Sequence, residues 1–283
     1  MFSPFGFMGT QAGGGLDPDA TAYIDKVIAQ GGSLSAGDET AIQTLYTDLK
    51  SNSLYSEMVY MYPFMGGTPD SHKVEGLAPN DANTLLTWVD SISQSLAHTS
   101  MGVDKTVANS NGYGFPTTNL DTFHSDVNDV SIGGYVSTAQ TNDLGFLIAH
   151  IANQTNETRY QLNSPYDSNI VYVGFGRNNA LATYNNGSAP VGIWIGSRTS
   201  DISQVLYKNG SAVNTNTTLN SGAFLPTTYL ELFSMGGGSG ITPITNGFDG
   251  VCGFIFGGNG LTAGQVSTLN GILSTFLTSI GRL

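Results

Sequence analysis

Surface chemistry needs carboxylates, imidazoles, thiols or hydroxyls at workable spacing, and this chain holds few such sets. Retaining hydrolysis of a glycosidic bond uses two carboxylates about 5 Å apart, which one strand supplies from residues sharing a face. The five glutamates are Glu39, Glu57, Glu75, Glu157 and Glu231, and none has a carboxylate two or four residues away. Asp126 and Asp129 are the nearest thing to an acidic cluster, but their spacing puts them on opposite faces of a strand. In a loop they offer oxygen ligands to a cation such as Ca²⁺, with a solvated turn as the plainer reading. No His-x-x-x-His or Cys-x-x-Cys spacing suggests zinc or another metal. Gly174-Phe175-Gly176 leads toward Asn178-Asn179 and reads as a turn, not a phosphate loop. No catalytic residue and no cofactor are expected.

Sugar binding asks for less. An aromatic ring covers the sugar's C–H face, and Asn, Asp or Arg meets the hydroxyls. Tyr166-Asp167 and Tyr184-Asn185 carry that chemistry in stretches that read as loops, and they are the candidate glycan-binding residues. The plain alternative is that Tyr and Asn populate turns in a Gly/Asn-rich protein. Trp194 reads as core.

The elements that position these residues are mostly strands. Charged residues make up 11% of 283, while Gly alone numbers 37. The result is a polar, uncharged surface of the kind found in extracellular all-β proteins, fibres and capsid components. Net charge is −12, with nine Lys plus Arg spread singly, so no basic patch exists for nucleic acid. Cys252 is the single cysteine, which excludes an intrachain disulfide. No apolar window is long enough to span a membrane. The opening MFSPFGFMGT has neither a basic n-region nor an apolar run, so no secretory signal is expected.

Residues 1–16 form a Gly-rich arm that reads either as a disordered tail or as a plug in which Phe2, Phe5, Phe7 and Met8 are buried against another subunit. Asp17-Pro18 starts a first helix that Gly31-Gly32 stops. Ser35, with Asp38 and Glu39 behind it, caps a second over residues 36–50. A third short helix is expected over 54–61. From residue 84 the pattern changes to short runs rich in Val, Ile, Thr, Tyr and Phe between Gly, Asn, Pro and Asp clusters. Strands are expected at 84–89, 111–115, 128–135, 144–152, 158–162, 170–175, 181–184, 191–197, 203–208, 228–233 and 249–256. That spacing describes a sandwich. In 191–197, Ile193 and Ile195 alternate with Trp194, as in a sheet with one face buried, and the flanking Gly192 and Gly196 leave room for the tryptophan or the facing sheet. Asn209-Gly210 supplies the positive φ of a tight hairpin. Thr262 caps a closing helix over 263–280. The four histidines, His72, His98, His124 and His150, recur at a common interval with unlike flanks, which reads as chance.

The strand–corner–strand of VGIWIGSRTSDISQVLYKNG resembles the concanavalin-A-like (laminin-G-like) jelly roll, and its Asn-Gly hairpin is a landmark of the versions carried by bacteriophage virion proteins. The stretch Ala41-Ile42, Leu45, Asp48-Leu49-Lys50, Tyr62-Pro63-Phe64-Met65-Gly66-Gly67-Thr68 and Ser71-His72-Lys73 is similar to a helical lead-in before such jelly rolls in phages of Bacteroidetes-type hosts. Gly260-Leu261-Thr262 before the last helix and Gly281-Arg282 after it also match. After Lys73 the usual Asn-Leu-Lys-x-Pro is only echoed by Leu77-Ala78-Pro79. The hydrolases of that fold carry Glu-x-Asp-x-Glu on one strand, which this chain lacks.

The resemblance implies a mainly β, jelly-roll sandwich over 68–283 and a helical anchor segment over 17–67. The apolar residues of the arm, the narrow apolar stripes of the two helices and the change of composition at Gly66-Gly67-Thr68-Pro69 give the expectation that residues 1–62 attach the protein to its neighbours and that the sandwich folds without them. The resemblance also implies a virion location as a fibre, spike or tail component. The partners are then other virion proteins, with a homo-oligomer, a trimer by that resemblance, and host surface glycan. The alternative is a carbohydrate-active enzyme or secreted lectin of the same fold.

Overall fold

The computed structural model describes residues 15–89, 96–105, 113–118, 124, 126–139, 144–151, 158–166, 170–177, 181–185, 190–217, 230–233, 248 and 250–283. The protein is mainly β, and among the described residues it has two antiparallel sheets, two helices before them and one after.

Each helix begins where a side chain satisfies its free amides. In α1 (Pro18–Ala29) the Asp17 carboxylate accepts from the amides of Asp19 and Ala20, and Pro18 occupies the first turn. In α2 (Ala36–Ser51) Ser35 and Asp38 form a reciprocal capping box, and Thr262 and Gln265 do the same for α3 (Ala263–Ser279).

The strands are β1 (Met58–Tyr62), β2 (Leu86–Val89), β3 (Ala97–Thr99), β4 (Gly102–Asp104), β5 (Tyr113–Pro116), β6 (Val130–Ala139), β7 (Leu144–Ile151) and β8 (Thr158–Tyr166). They continue with β9 (Ile170–Arg177), β10 (Leu181–Asn185), β11 (Gly192–Ser200), β12 (Ser203–Lys208), β13 (Ser211–Asn216), β14 (Glu231–Leu232) and β15 (Gly250–Gly258). Sheet A runs β13-β12-β11-β6-β15-β4-β3, with β1 also paired to β15, and sheet B runs β10-β9-β8-β7-β14-β5-β2. Every strand expected from the sequence has a counterpart. The third helix does not: residues 55–57 make one 3₁₀ turn and 58–62 are β1.

Two cores result. Trp194, Leu206, Ile132 and Ile255 from sheet A meet Tyr160, Leu162, Val173 and Phe175 from sheet B. On the other side of sheet A, Ile193, Ile195, Tyr207, Phe254 and Phe256 meet Tyr23, Ile42, Leu45 and Leu49 of α1 and α2 and Leu273 and Phe276 of α3. Sheet A is therefore buried on both faces, where the alternation around Trp194 had suggested one. The packing also crosses residue 67: β1 hydrogen-bonds β15 along Tyr60–Tyr62, and the preceding helices share their core with the sandwich.

Two local devices hold β11 in place. Asn209 and Gly210 take φ of 47° and 79°, closing the β12–β13 hairpin, and the Asn209 side chain accepts from the Ile193 amide at 2.9 Å. At Gly196 a Cβ would lie 2.2 Å from Val173 Cγ2, so only glycine lets the sheets approach here. The chain end is fixed by Arg282, whose guanidinium donates to the carbonyls of Pro63, Phe64, Ser100 and Gly253.

Candidate functional site

Sheet B buries one face against sheet A and turns the other outward. Along β8 the inward residues are Tyr160 and Leu162, so Gln161 and Asn163 belong to the outer face. Register extends that face sideways in two rows. Gln161 pairs with Gly174, which pairs with Leu181; in the other direction Gln161 pairs with Ala149, which pairs with Glu231. Asn163 pairs with Tyr172, which pairs with Thr183. Adjacent strands lie about 4.8 Å apart, so each row reaches the β10 edge within roughly 10 Å of β8.

Burial changes along these rows. Gln161 and Asn163 are both 0% exposed and Tyr172 is 4% exposed, whereas Thr183 and Asn185 on β10 are exposed. Among the described residues neither side-chain amide has a hydrogen-bond partner: Oε1 and Nε2 of Gln161, and Oδ1 and Nδ2 of Asn163, are all unmatched. Leaving such a group buried and unmatched costs about 1–3 kcal/mol. Two neighbouring amides on one strand, both unmatched, are a polar floor that calls for hydroxyl partners from water or a ligand.

Three of the sequence-derived candidates, Tyr166, Tyr184 and Asn185, lie on strands of sheet B and not in loops. Tyr166 and Asn185 both pair with Ile170, which puts them in one row across β8, β9 and β10. Tyr184 and Asn185 are strand neighbours and so point to opposite faces. Tyr184 turns inward, its ring 6.2 Å from that of Trp194, and Asn185 turns outward. Tyr184 is thus half-buried and packs against the inter-sheet core, on the face opposite Asn185. Asp167 and the arm residues Phe2, Phe5, Phe7 and Met8 lie outside the described residues. The signal for Gln161 and Asn163 was present as the alternation Tyr160-Gln161-Leu162-Asn163, which reads equally well as an ordinary solvent-facing strand.

Other polar clusters are spent inside the fold. Asp129 Oδ1 accepts from the Gly260 amide at 2.8 Å and Asp126 Oδ1 from the Asn128 amide at 2.8 Å. His124 Nε2 lies 2.9 Å from the Tyr160 hydroxyl in the inter-sheet core, where burial pushes the imidazole down to about 3. His72 and His98 meet Nδ1 to Nδ1 at 3.0 Å. Burial first, then the neighbouring His98 and Arg282, holds His72 well below the usual imidazole range. Glu75 accepts from the amides of Met61, Leu77 and Ala78, and burial still raises it to about 7. Glu231 is the one Asp or Glu in any described strand of sheet B.

No helix among the described residues is long and apolar enough to cross a membrane. No protein-family model matches the chain, and no curated protein does. Solved structures do. A Trypanosoma rangeli sialidase in complex with sialic acid superposes with a TM-score of 0.51 at 11% identity, over 83% of this chain and 39% of that one. Domain 4 of an extracellular arabinanase from Geobacillus stearothermophilus, in complex with arabinotriose, gives 0.47 at 12% identity, over 76% of this chain and 98% of the domain. The botulinum neurotoxin serotype G binding domain gives 0.47 at 11% identity, over 77% and 51%. The sialidase likeness is one of fold, a β-sandwich, and this chain spans well under half of that enzyme.

Proposed function

We propose that this β-sandwich binds glycan on the outer face of sheet B, as a structural component of a bacteriophage virion in a fibre, spike or tail. The observation that carries the binding reading is the Gln161–Asn163 pair: two fully buried amides with no partner among the described residues, in rows that end at a half-buried Leu181 and an exposed Thr183. Amide donors and acceptors, an adjacent Tyr172 and exposed Thr183 and Asn185 are the groups that meet sugar hydroxyls. Glu231 stands without a second strand carboxylate beside it, which favours binding over retaining hydrolysis. The virion part rests on the resemblance of the helical lead-in and the Asn209-Gly210 hairpin, and it carries with it other virion proteins and a homo-oligomer, a trimer, as partners.

The test is calorimetric titration of the whole protein with neutral and acidic oligosaccharides and purified bacterial surface polysaccharides, beside Asn163→Leu. Saturable binding that falls at least ten-fold in the variant, with no sugar released, is the expected result. Binding that the variant leaves unchanged places the site elsewhere, and reducing-end release would favour the enzyme reading. Mass spectrometry of purified particles checks the virion part independently.

A further inference from the structure

We propose that the groove between α2 and α3 seats the aromatic arm of the same chain, residues 1–14. The groove holds about 380 Å³, with Ala41, Leu45, Ile272 and Phe276 in its lining and the small Thr40 and Thr44 beside them. Apolar lining bounded by short hydroxyl side chains, with Asp48 at one end, accepts an aromatic ring from an uncharged segment. The arm is the matching ligand. It carries Phe2, Phe5, Phe7 and Met8 and no Asp, Glu, Lys or Arg.

Geometry decides which copy supplies it. The chain enters α1 at Asp17, which is pinned to α2: its amide donates to Gln43 Oε1 at 2.7 Å and its carboxylate pairs with Lys50 at 2.7 Å. Gln43 and Lys50 lie on one flank of α2, and Thr40, Thr44 and Asp48 turn toward the groove on another. Crossing from one flank to the other spans about one helix diameter, ~10 Å. The segment between Met8 and Asp17 extends to roughly 30 Å. A tether that short gives an effective concentration on the order of millimolar, so the chain's own arm outcompetes that of a second copy.

Cys252 is buried, which leaves introduced thiols as the reactive ones. The full chain carrying Gly6→Cys with Thr44→Cys is oxidised at low micromolar concentration beside a control with Gly6→Cys and Asp25→Cys, Asp25 being an exposed position on α1. The groove pair is expected to close an intramolecular disulfide at least ten-fold faster than the control. Adding Gly37→Leu should abolish the difference, since a Cβ at Gly37 meets only Ser35 Oγ at 3.5 Å and the helix accepts it while the groove fills. Circular dichroism confirms that each variant is folded. Equal rates for the two pairs overturn the proposal, and so does a predominantly dimeric disulfide, which would seat the arm on a second copy.

Discussion

Sheet A and sheet B share one apolar core between them, yet they treat their polar groups in opposite ways. In sheet A, Arg198 donates to the carbonyls of Phe175 and Ser200 and to Asn128 Oδ1. Ser197 Oγ donates to the Leu261 carbonyl, and Gln204 bridges to the Val173 carbonyl and the Phe175 amide of the other sheet. The Ser131 hydroxyl is the exception. In sheet B the outer face keeps two amides that nothing among the described residues satisfies. An unmatched buried amide costs about as much as a buried leucine gains, roughly 1–3 kcal/mol. Sheet A is the frame, and the outer face of sheet B carries the site proposed above.

The largest test of that division removes the cover of the frame. A chain starting at Thr68 lacks α1, α2 and β1, which returns one face of Ile193, Ile195, Phe254 and Phe256 to water and unpairs one edge of β15. At about 1.5–3 kcal/mol per side chain the loss is comparable to a domain's whole stability of about 5–15 kcal/mol. No cooperative melt is expected by circular dichroism. A folded, monomeric sandwich from this truncation would restore the helices to the role of a detachable anchor.

Within the frame, Trp194→Ala is expected to cost ~3–5 kcal/mol in denaturant titration. The indole is 0% exposed, donates to the Pro190 carbonyl at 2.8 Å and packs beside Tyr184. An unchanged midpoint with lost glycan binding would move Trp194 from frame to site.

What the sequence made legible follows from the range of the forces involved. Caps at Asp17, Ser35 and Thr262, and the turn at Asn209-Gly210, are set by neighbouring residues, and each forms as expected. β1 was read as helix because Met58-Val59-Tyr60-Met61-Tyr62 is apolar on both faces and shows no alternation. It lies between the two cores, with Met61 in one and Tyr60 and Tyr62 in the other. The short β3 and β4 carry too few residues for any period to register. The candidate site was half legible. Its residue types at Tyr166 and Asn185 fall on one row, but Tyr184 was assigned to a loop, and only strand geometry turns it inward. Nothing local marks Gln161 and Asn163 as buried; that depends on the whole of sheet B.

The smallest effect is the sharpest comparison, because it makes one substitution in both sheets. Gln→Met conserves length and removes the amide. Gln204→Met breaks two inter-sheet hydrogen bonds and leaves the Val173 carbonyl and Phe175 amide unmatched, so it should destabilise by about 1–3 kcal/mol. Gln161→Met removes an amide with no partner among the described residues, at a position where Nε2 already lies near the Gly174 backbone. Its effect on the denaturant midpoint should be near zero or slightly stabilising, while affinity for the glycan identified by titration falls at least ten-fold. A site that gains stability on losing its chemistry is the signature of a binding group held against the fold's own preference. If Gln161→Met destabilises as much as Gln204→Met, the amide is structural, and the contrast between the sheets fails where it was drawn most finely.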